Sequence, residues 1–151
     1  ARHAAEIPAA GGIATARGLA RLYAPLSLDG SVDGVRLIDA PALAAMGRIR
    51  SASDIDVTLR VPTTFTLGFS NCWGDRRLGA GEHVIIGRDA FGTPGMGGSI
   101  GFADRQARMS FGYVMNQHGS GVGLNDRGQS LIDAAYRSLG FSSAGNEPWT
   151  R

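Results

Sequence analysis

Hydrophobic and polar residues follow different periods along this chain, and each period predicts a type of element. Residues 1–14 contain helix breakers and read as a loop. Apolar side chains then recur near one face of a helix that begins at Thr15, its N-cap, continues to about Ala24 and ends at Pro25. A second helix is expected from Asp39 to Gly47, with proline in its first turn.

The period then changes to the strict alternation that is typical of strands. Apolar and polar residues alternate over 54–61 and again over 65–69, which predicts two strands. Residues 71–87 are polar and glycine-rich around a tryptophan and read as a loop. Two further strands are predicted at about 98–103 and 108–116. The second face of the last strand is small instead of charged, so we expect both faces of this sheet to be covered.

The helical period returns near the end of the chain. A flexible loop at 118–123 precedes a third helix, which Asp126 caps and which continues to Leu139, with Gly140 at the position of a C′ glycine. The order is helix, helix, antiparallel strands, helix. We therefore predict the α+β class, an antiparallel sheet covered by helices.

Composition limits the functions that this chain can carry. Its 151 residues fit one domain, and 43% hydrophobic with 19% charged residues is ordinary for a globular protein. All 15 basic residues are arginine, for which codon usage in a GC-rich bacterial genome is the simplest explanation. A lysine nucleophile or base must therefore come from elsewhere. A diffuse net charge of +2 argues against nucleic acid as a partner, and no apolar run approaches the length of a membrane span.

Isolated reactive side chains give no site of their own. Cys72 has no disulfide partner in this chain and no zinc-type spacing, so a buried or half-buried thiol is its simplest interpretation. His3, His83 and His118 lie far apart and read as surface or loop histidines. Asp54 and Asp56 alternate on the predicted strand and read as its solvent face. We expect no metal and no cofactor.

The glycine-dense stretch FGTPGMGGSIGFADRQARMSFGYVMN, residues 91–116, is the most informative part of the sequence. A phosphate-binding G-x-G-x-x-G loop starting at Gly95 would require glycine where Ile100 stands, and a strand follows where a dinucleotide loop needs a helix. G-x-S-x-G fails as well, since the spacing around Ser99 is wrong and no helix follows. The stretch is instead a glycine loop that opens into a short strand, followed by the charged turn 104–107 and a second strand.

These residues carry a family resemblance. The triplet Thr93-Pro94-Gly95, the run MGGSIGFAD and the strand FGYVMNQ resemble the last strands of serine β-lactamase-like proteins, specifically the class C β-lactamase and esterase branch. IPAAGGIATARGLARLYAPL resembles the proline–glycine loop and helix of the helical lobe, and TLGF resembles a strand of the family. The resemblance implies the C-terminal part of a β-lactamase/transpeptidase-like fold, with a helical-lobe segment at about 1–50 and the sheet and last helix at about 54–140.

The resemblance also implies site residues. In this family a serine of S-x-x-K attacks an acyl group, and the oxyanion is held by two backbone N–H groups. One of these belongs to the residue after the triplet, which is Met96 here. Thr93, Gly95 and Gly97 then form the substrate wall, for a small acyl ester or amide. Asn116 either joins this wall and faces the substrate or caps the end of its strand. Gly11, Gly12, Ile13 and Trp73 are expected to lie at the rim of the cleft.

The sequence departs from the family pattern in two respects. It has no lysine, so S-x-x-K is absent, and Thr93 stands where lysine or histidine is usual. We expect this chain to be the C-terminal portion of an esterase- or lipase-like serine hydrolase. The portion should be inactive alone and should require the N-terminal part of the same protein as its partner. A catalytically inactive binding or scaffold protein is the alternative, and a free-standing ligand-binding domain is a third. The sequence leaves open a homo-oligomer and the compartment, cytoplasmic or secreted.

Overall fold

The computed structural model describes residues 11–78 and 83–151, and this part contains three α-helices and nine short strands. The helices are α1 (Ala16–Ser27), α2 (Ala40–Gly47) and α3 (Asp126–Ser138). The strands are β1 (Ser31–Val32), β2 (Val35–Arg36), β3 (Ser51–Ser53), β4 (Thr63–Phe65), β5 (Trp73–Gly74), β6 (His83–Val84), β7 (Phe91–Gly95), β8 (Ser99–Asp104) and β9 (Met109–Tyr113).

The centre of the fold is an antiparallel sheet in the order β7–β8–β9. Ser70 pairs with Gly92 of β7 on the side away from β8, and Ser70 also bridges to Phe65 at the end of β4. The antiparallel pair β3–β4 therefore continues this sheet beyond β7. The predicted α+β class with an antiparallel sheet is confirmed.

Helix α1 lies directly on one face of β8 and β9 because both strands present glycine there. A side chain at Gly101 would meet Tyr23 and Leu19, and one at Gly112 would meet the main chain of α1. Tyr23 of α1 then packs into a small apolar cluster with four other buried residues, Leu26, Leu43, Phe91 and Ala103. Glycine thus lets the helix axis come close enough to cover this face.

The opposite face of the sheet carries the larger core. Phe102 of β8 stacks on Phe111 of β9 with 5.3 Å between ring centroids, and both rings lie on the side of α3. Tyr136 of α3 stacks on Trp149 at 5.4 Å, so the chain end packs against the helix. Helices and aromatic side chains therefore cover both faces of the sheet, as predicted.

Helix α3 is attached to the sheet by polar side chains as well as by its apolar stripe. The amide of Gln129 hydrogen bonds to both main-chain groups of Ile85, with 3.0 Å from the Ile85 nitrogen and 2.8 Å to its oxygen. The hydroxyl of Tyr136 donates to the buried carboxylate of Asp104 at 2.6 Å and accepts from the nitrogen of Gly87 at 2.8 Å. Because these buried polar groups are all hydrogen bonded, they fix the position of the helix on the sheet, in addition to the effect of its apolar burial.

An ion pair completes this attachment. Arg76 donates two hydrogen bonds to the carboxylate of Asp133 on α3, at 2.6 and 2.8 Å. The bidentate geometry is the strong form of such a pair. It ties the polar segment after β5 to the middle of α3.

Several predicted termini are confirmed. The Thr15 side chain accepts a hydrogen bond from the nitrogen of Gly18, and Asp39 accepts one from the nitrogen of Ala42. Both are N-caps that satisfy an otherwise unpaired main-chain donor. Gly140 follows α3 with a φ of 79°, the left-handed conformation expected of a C′ glycine.

The strand predicted over 54–61 is wrong. The chain turns there because the Asp56 carboxylate accepts hydrogen bonds from the nitrogens of Thr58 and Leu59, and Val57 is left 84% exposed. These hydrogen bonds lower the pKa of Asp56. A local side-chain-to-backbone turn has replaced the strand, so Asp56 is a turn-former and not part of a strand's solvent face.

Other boundaries also differ from the prediction. Pro25 does not end α1, which continues to Ser27, and the nitrogen of Gly30 hydrogen bonds to the Pro25 oxygen. Asn125, not Asp126, caps α3. The strand predicted over 65–69 stops at Phe65 and is followed by a turn that leaves Leu67 exposed. Residues 1–10 of the predicted N-terminal loop lie outside the described residues.

The segment 71–87 is less of a loop than predicted, within its described positions. It contributes β5 and β6, which pair with each other, and β6 also bridges to Leu124. Trp73 is 5% exposed and belongs to the larger core, and His83 is buried as well. The rim position predicted for Trp73 and the surface position predicted for His83 are therefore wrong.

No helix in the described part of the chain has both the length and the apolar character needed to cross a membrane.

We predict that Gly112→Ala destabilises the protein by about 1 to 3 kcal/mol through overpacking. The added carbon would lie 2.5 Å from the Ala16 oxygen and 2.7 Å from the Ala20 nitrogen, which are main-chain atoms of α1. Urea unfolding, followed by the fluorescence of the two buried tryptophans, measures the change. Gly12→Ala is the matched control, because no atom of the described residues lies within 4 Å of the added carbon. Equal unfolding midpoints for the two variants would contradict the close packing of α1.

We also predict a pH-dependent loss of stability for Asp133→Asn. Burial raises the pKa of Asp133, but hydrogen bonds from Arg76 and Gln129 outweigh burial and hold the pKa below its usual range. A depressed folded-state pKa means that the pair stabilises the protein above the unfolded value of about 3.9 and that this stability is lost as pH falls through the folded value.

The variant should therefore lose about 1 to 3 kcal/mol of unfolding free energy at neutral pH. The difference from the parent should shrink below about pH 4. Urea unfolding at both pH values is the measurement. Arg21→Gln, which breaks an exposed ion pair with Asp33, is the control and should change stability little at either pH. A difference for Asp133→Asn that does not depend on pH would exclude the ion pair as its source.

Candidate active site

Strand β7 carries the predicted triplet and is held on both sides at its beginning. The main-chain nitrogen and oxygen of Gly92 both hydrogen bond to Ser70, at 2.9 and 2.7 Å. On the other side β7 pairs with β8, with Thr93 opposite Gly101 and Gly95 opposite Ser99. Beyond Gly92 the outer edge has no strand pairing within the described residues, so the triplet lies at an open edge of the sheet.

The turn from Met96 to Gly98 connects β7 to β8. Gly97 and Gly98 have φ angles of 85° and 109°, which only glycine adopts without strain. The nitrogen of Gly98 hydrogen bonds to the oxygen of Gly95 at 3.0 Å, which closes the turn. The glycine run of the sequence is thus explained by a tight hairpin.

The geometry of this turn determines the direction of the Met96 N–H. The Gly95 oxygen points into the hairpin, because it accepts the hydrogen bond from Gly98. The C=O and N–H of a trans peptide point in opposite directions, and no described peptide bond is cis. The Met96 N–H therefore points out of the hairpin, at the open edge of β7. The Met96 side chain is 68% exposed and leaves that edge accessible.

Pro94 lies between Gly92 and Met96 on the same edge. Successive residues of a strand direct their main-chain groups to alternate sides, so Pro94 faces outward as Gly92 and Met96 do. Proline has no N–H. Met96 is therefore the first main-chain donor on this edge after Gly92.

Thr93 is exposed and has a buried neighbour on α1. Tyr23 lies beneath it, with its ring against Gly101, the cross-strand partner of Thr93. Burial raises the pKa of Tyr23, and hydrogen bonds with the side chain and main chain of Thr93 offset part of that rise. The Tyr23 phenol thus reaches the first residue of the triplet from below the sheet.

An open groove of about 320 Å³ lies beside Thr93. Its walls are the Phe65 and Phe69 side chains together with the small or polar residues Thr66, Gly68, Ser70 and Thr93. None of these six residues carries a charge. Phe69 contacts the Phe91 ring below it at 5.2 Å between centroids, which fixes the floor of the groove. The arrangement suits a neutral, partly apolar group.

The loop after β9 packs against the turn. The Gly97 nitrogen hydrogen bonds to the Gly121 oxygen at 3.2 Å, and the Gly97 oxygen accepts from the Gly119 nitrogen at 2.9 Å and from Asn125 Nδ2 at 2.8 Å. Gly97 is buried, so its main-chain groups are used inside the protein. Its predicted place in the substrate wall, like those of Thr93 and Gly95, stays a prediction.

The remaining predicted site residues are Asn116 of the substrate wall and Gly11, Gly12 and Ile13 of the rim. β9 ends at Tyr113, and Asn116 is an exposed residue of the bend that follows, three residues beyond the strand. β9 leaves the sheet at the end where the Met96–Gly98 turn lies, so Asn116 is at the same end as the triplet. Gly11, Gly12 and Ile13 are exposed and precede α1. His118 is exposed in its loop, as predicted, and its ring lies against Gly97.

Two residues at this site had no role in the sequence prediction. Tyr23 belonged to the apolar stripe of α1, and no local pattern distinguishes it from a core residue. Asn125 directly precedes Asp126, the predicted cap of α3. Asparagine is itself a preferred N-cap residue, and this preference was the signal that could have identified it. In the described part of the chain, no group of three or more His, Cys, Asp or Glu side chains is placed to hold a metal ion.

Comparison with known proteins gives a family match. Residues 1–136 match the family model described as Beta-lactamase. The chain is 36% identical over 113 residues to the "Esterase/beta-lactamase LipL" of Mycobacterium tuberculosis (strain ATCC 25618 / H37Rv), a match that covers 75% of this chain and 24% of that protein.

Two solved structures are similar. A family VIII carboxylesterase superposes with a TM-score of 0.74 at 37% identity, over 90% of this chain and 35% of that one. A penicillin-binding protein homologue from Caulobacter crescentus superposes with a TM-score of 0.70 at 34% identity, over 83% of this chain and 32% of that one. The chain thus spans between about a quarter and a third of the length of these relatives. The open edge of β7, its glycine turn and the matched family model lead to one conclusion: the chain belongs to the β-lactamase family.

Proposed function

We propose that this chain supplies one oxyanion donor and the substrate wall of a serine esterase, whose S-x-x-K nucleophile lies outside these 151 residues. The observation that carries the proposal is the Met96 N–H, which points out of the hairpin at the open edge of β7 beside an uncharged groove. The family supports the reaction class, since its relatives here are named as esterases and β-lactamases.

The chemistry would follow from that placement. A serine attacks the ester carbonyl, whose oxygen becomes negative in the tetrahedral state. The bond to the alcohol then breaks and the alcohol leaves, which gives the acyl-enzyme that water later hydrolyses. A main-chain N–H fixed at the position of the developing charge stabilises it without reorganisation. Met96 would supply one such donor and the serine's own N–H the other. Gly95 and Gly97 would allow the substrate to approach the main chain.

The groove suggests a neutral substrate. Its walls combine two phenylalanine side chains with hydroxyl groups, and Thr93 stands where a charged or ionisable residue is usual in the family. A threonine hydroxyl can hydrogen bond to an ester but cannot form an ion pair with a carboxylate. A small or medium acyl ester therefore fits better than an anionic β-lactam.

A catalytically inactive binding or scaffold protein is the second candidate. The observation that favours it is the uncharged Thr93 together with the absence of any lysine in the sequence. The coding sequence directly upstream separates the two candidates. S-x-x-K followed by Y-x-N favours the enzyme, and their absence favours the binding protein.

We expect the purified 151-residue chain to show no turnover of p-nitrophenyl butyrate, since it has no lysine to activate a serine. The same chain joined to its upstream sequence should hydrolyse the ester. Initial rates of p-nitrophenol release measure both. Turnover by the isolated chain that disappears on Ser99→Ala or Ser110→Ala would refute the assignment of the nucleophile.

Thr93→Val tests the substrate wall in the longer, active protein. Valine keeps the shape but removes one hydrogen bond to the ester, so kcat/KM for p-nitrophenyl butyrate should fall about tenfold. Thr58→Val, an exposed turn position far along the chain from the triplet, is the control and should leave the value unchanged. If Thr93→Val and the parent have equal kcat/KM, Thr93 does not contact the substrate.

A further inference from the structure

Asn125 occupies a buried position between α3 and the Met96–Gly98 turn. It is 5% exposed, and both ends of its amide are used. Its Oδ1 accepts a hydrogen bond from the Gly128 nitrogen at 3.2 Å, which caps α3, and its Nδ2 donates to the Gly97 oxygen at 2.8 Å. One side chain thus contacts a helix terminus and the turn at the same time.

The contact with the turn is close on every side. A carbon added to Gly98 would lie 2.1 Å from Asn125 Nδ2, so the amide lies directly against the turn. The Gly98 oxygen in turn faces Gly128 in the first turn of α3. Turn and helix therefore share one packed contact with Asn125 at its centre.

The two peptide groups on either side of Gly97 are both hydrogen bonded to the segment that leads into α3. The N–H of the Met96–Gly97 peptide donates to the Gly121 oxygen, and the C=O of the Gly97–Gly98 peptide accepts from Gly119 and Asn125. On the other side of Met96, the Gly95 oxygen accepts a hydrogen bond from the Gly98 nitrogen. Among the main-chain N–H groups of the turn, that of Met96 is the one for which the described residues provide no hydrogen-bond acceptor.

We infer that Asn125 is a positioning residue, which holds the turn so that the Met96 N–H keeps a fixed direction toward the developing oxyanion. The inference rests on the proposed function of Met96. Such a donor stabilises the transition state only if its position is fixed before reaction, and an error of about 1 Å can cost on the order of a hundredfold in rate.

Helix α3 is a suitable support for this role. It is attached to the rest of the fold by Gln129, by the Asp133–Arg76 pair and by the Tyr136–Asp104 hydrogen bond. Asn125 transmits that fixed position to the turn through a single side chain.

Helix capping alone does not explain asparagine at this position. Aspartate and serine cap helices about as well as asparagine. Only an amide offers a donor and an acceptor at the two ends of so short a side chain. The Nδ2 donor is therefore the part of the residue that serves the turn.

Asn125→Asp and Asn125→Ser test the inference in the protein that contains this chain and its nucleophile. Both variants keep an oxygen that can cap α3, and both remove the Nδ2 group that donates to the Gly97 oxygen. We expect kcat for p-nitrophenyl butyrate to fall about 10- to 100-fold with KM nearly unchanged. Asp39→Ala, which removes the cap of α2, is the control for lost helix stability and should leave kcat unchanged.

Amide hydrogen exchange separates failure of this inference from failure of the proposed function. If the parent protein has no esterase activity, the proposed function of Met96 is wrong, and exchange alone decides about Asn125. The Gly97 N–H should exchange at least about tenfold faster in both Asn125 variants, while the amides in the middle of α3 keep their protection. Unchanged exchange at Gly97, unchanged kcat in an active parent, or a general loss of protection along α3 would overturn the inference.

Discussion

The close approach of α1 to the sheet is the contact on which the rest of this structure depends. Gly101 and Gly112 leave no side chain between the helix and strands β8 and β9. Tyr23 can then reach Thr93 from below, and the Phe91 and Phe69 side chains fill the space beside it. If either glycine carried a side chain, the helix would have to move outward, and the floor under the triplet would move with it. The packing of a helix on glycine thus determines the shape of a site several residues away.

The fold was predictable from the sequence wherever local signals and long-range packing agree. The period of β8 and β9, the caps Thr15 and Asp39 and the C′ glycine of α3 all specify what the structure contains. The strand prediction for residues 54–61 was wrong because the Asp56 carboxylate competes for the main-chain donors that a strand would have used. The predicted positions of Trp73 and His83 were wrong for another reason. Trp73 packs in the larger core with residues of α3, and His83 bridges to Leu124. These partners are distant in sequence, and no short window contains that information.

The candidate site was harder to predict, since its chemistry lies mainly in the backbone. The sequence stretch around Met96 indicated a glycine-rich loop, and the family resemblance implied a role for its N–H, but neither could give a direction for that group. Direction follows from the hydrogen bond between Gly98 and Gly95, which is a property of the folded turn. Asn125 and Tyr23 looked like an ordinary loop residue and an ordinary core residue. Only the contacts that they make across the fold distinguish them from others of their kind.

Pro94 has a consequence for the behaviour of the protein in concentrated solution. An open strand edge with a row of free N–H groups is a template on which another polypeptide can add as a further strand, and such edges promote aggregation. β7 needs an open edge if a ligand is to approach it, so the edge cannot simply be covered. Proline removes one donor from the middle of that edge and adds no strand that would cover it. The same residue that isolates the Met96 N–H thereby protects an accessible edge against unwanted self-association.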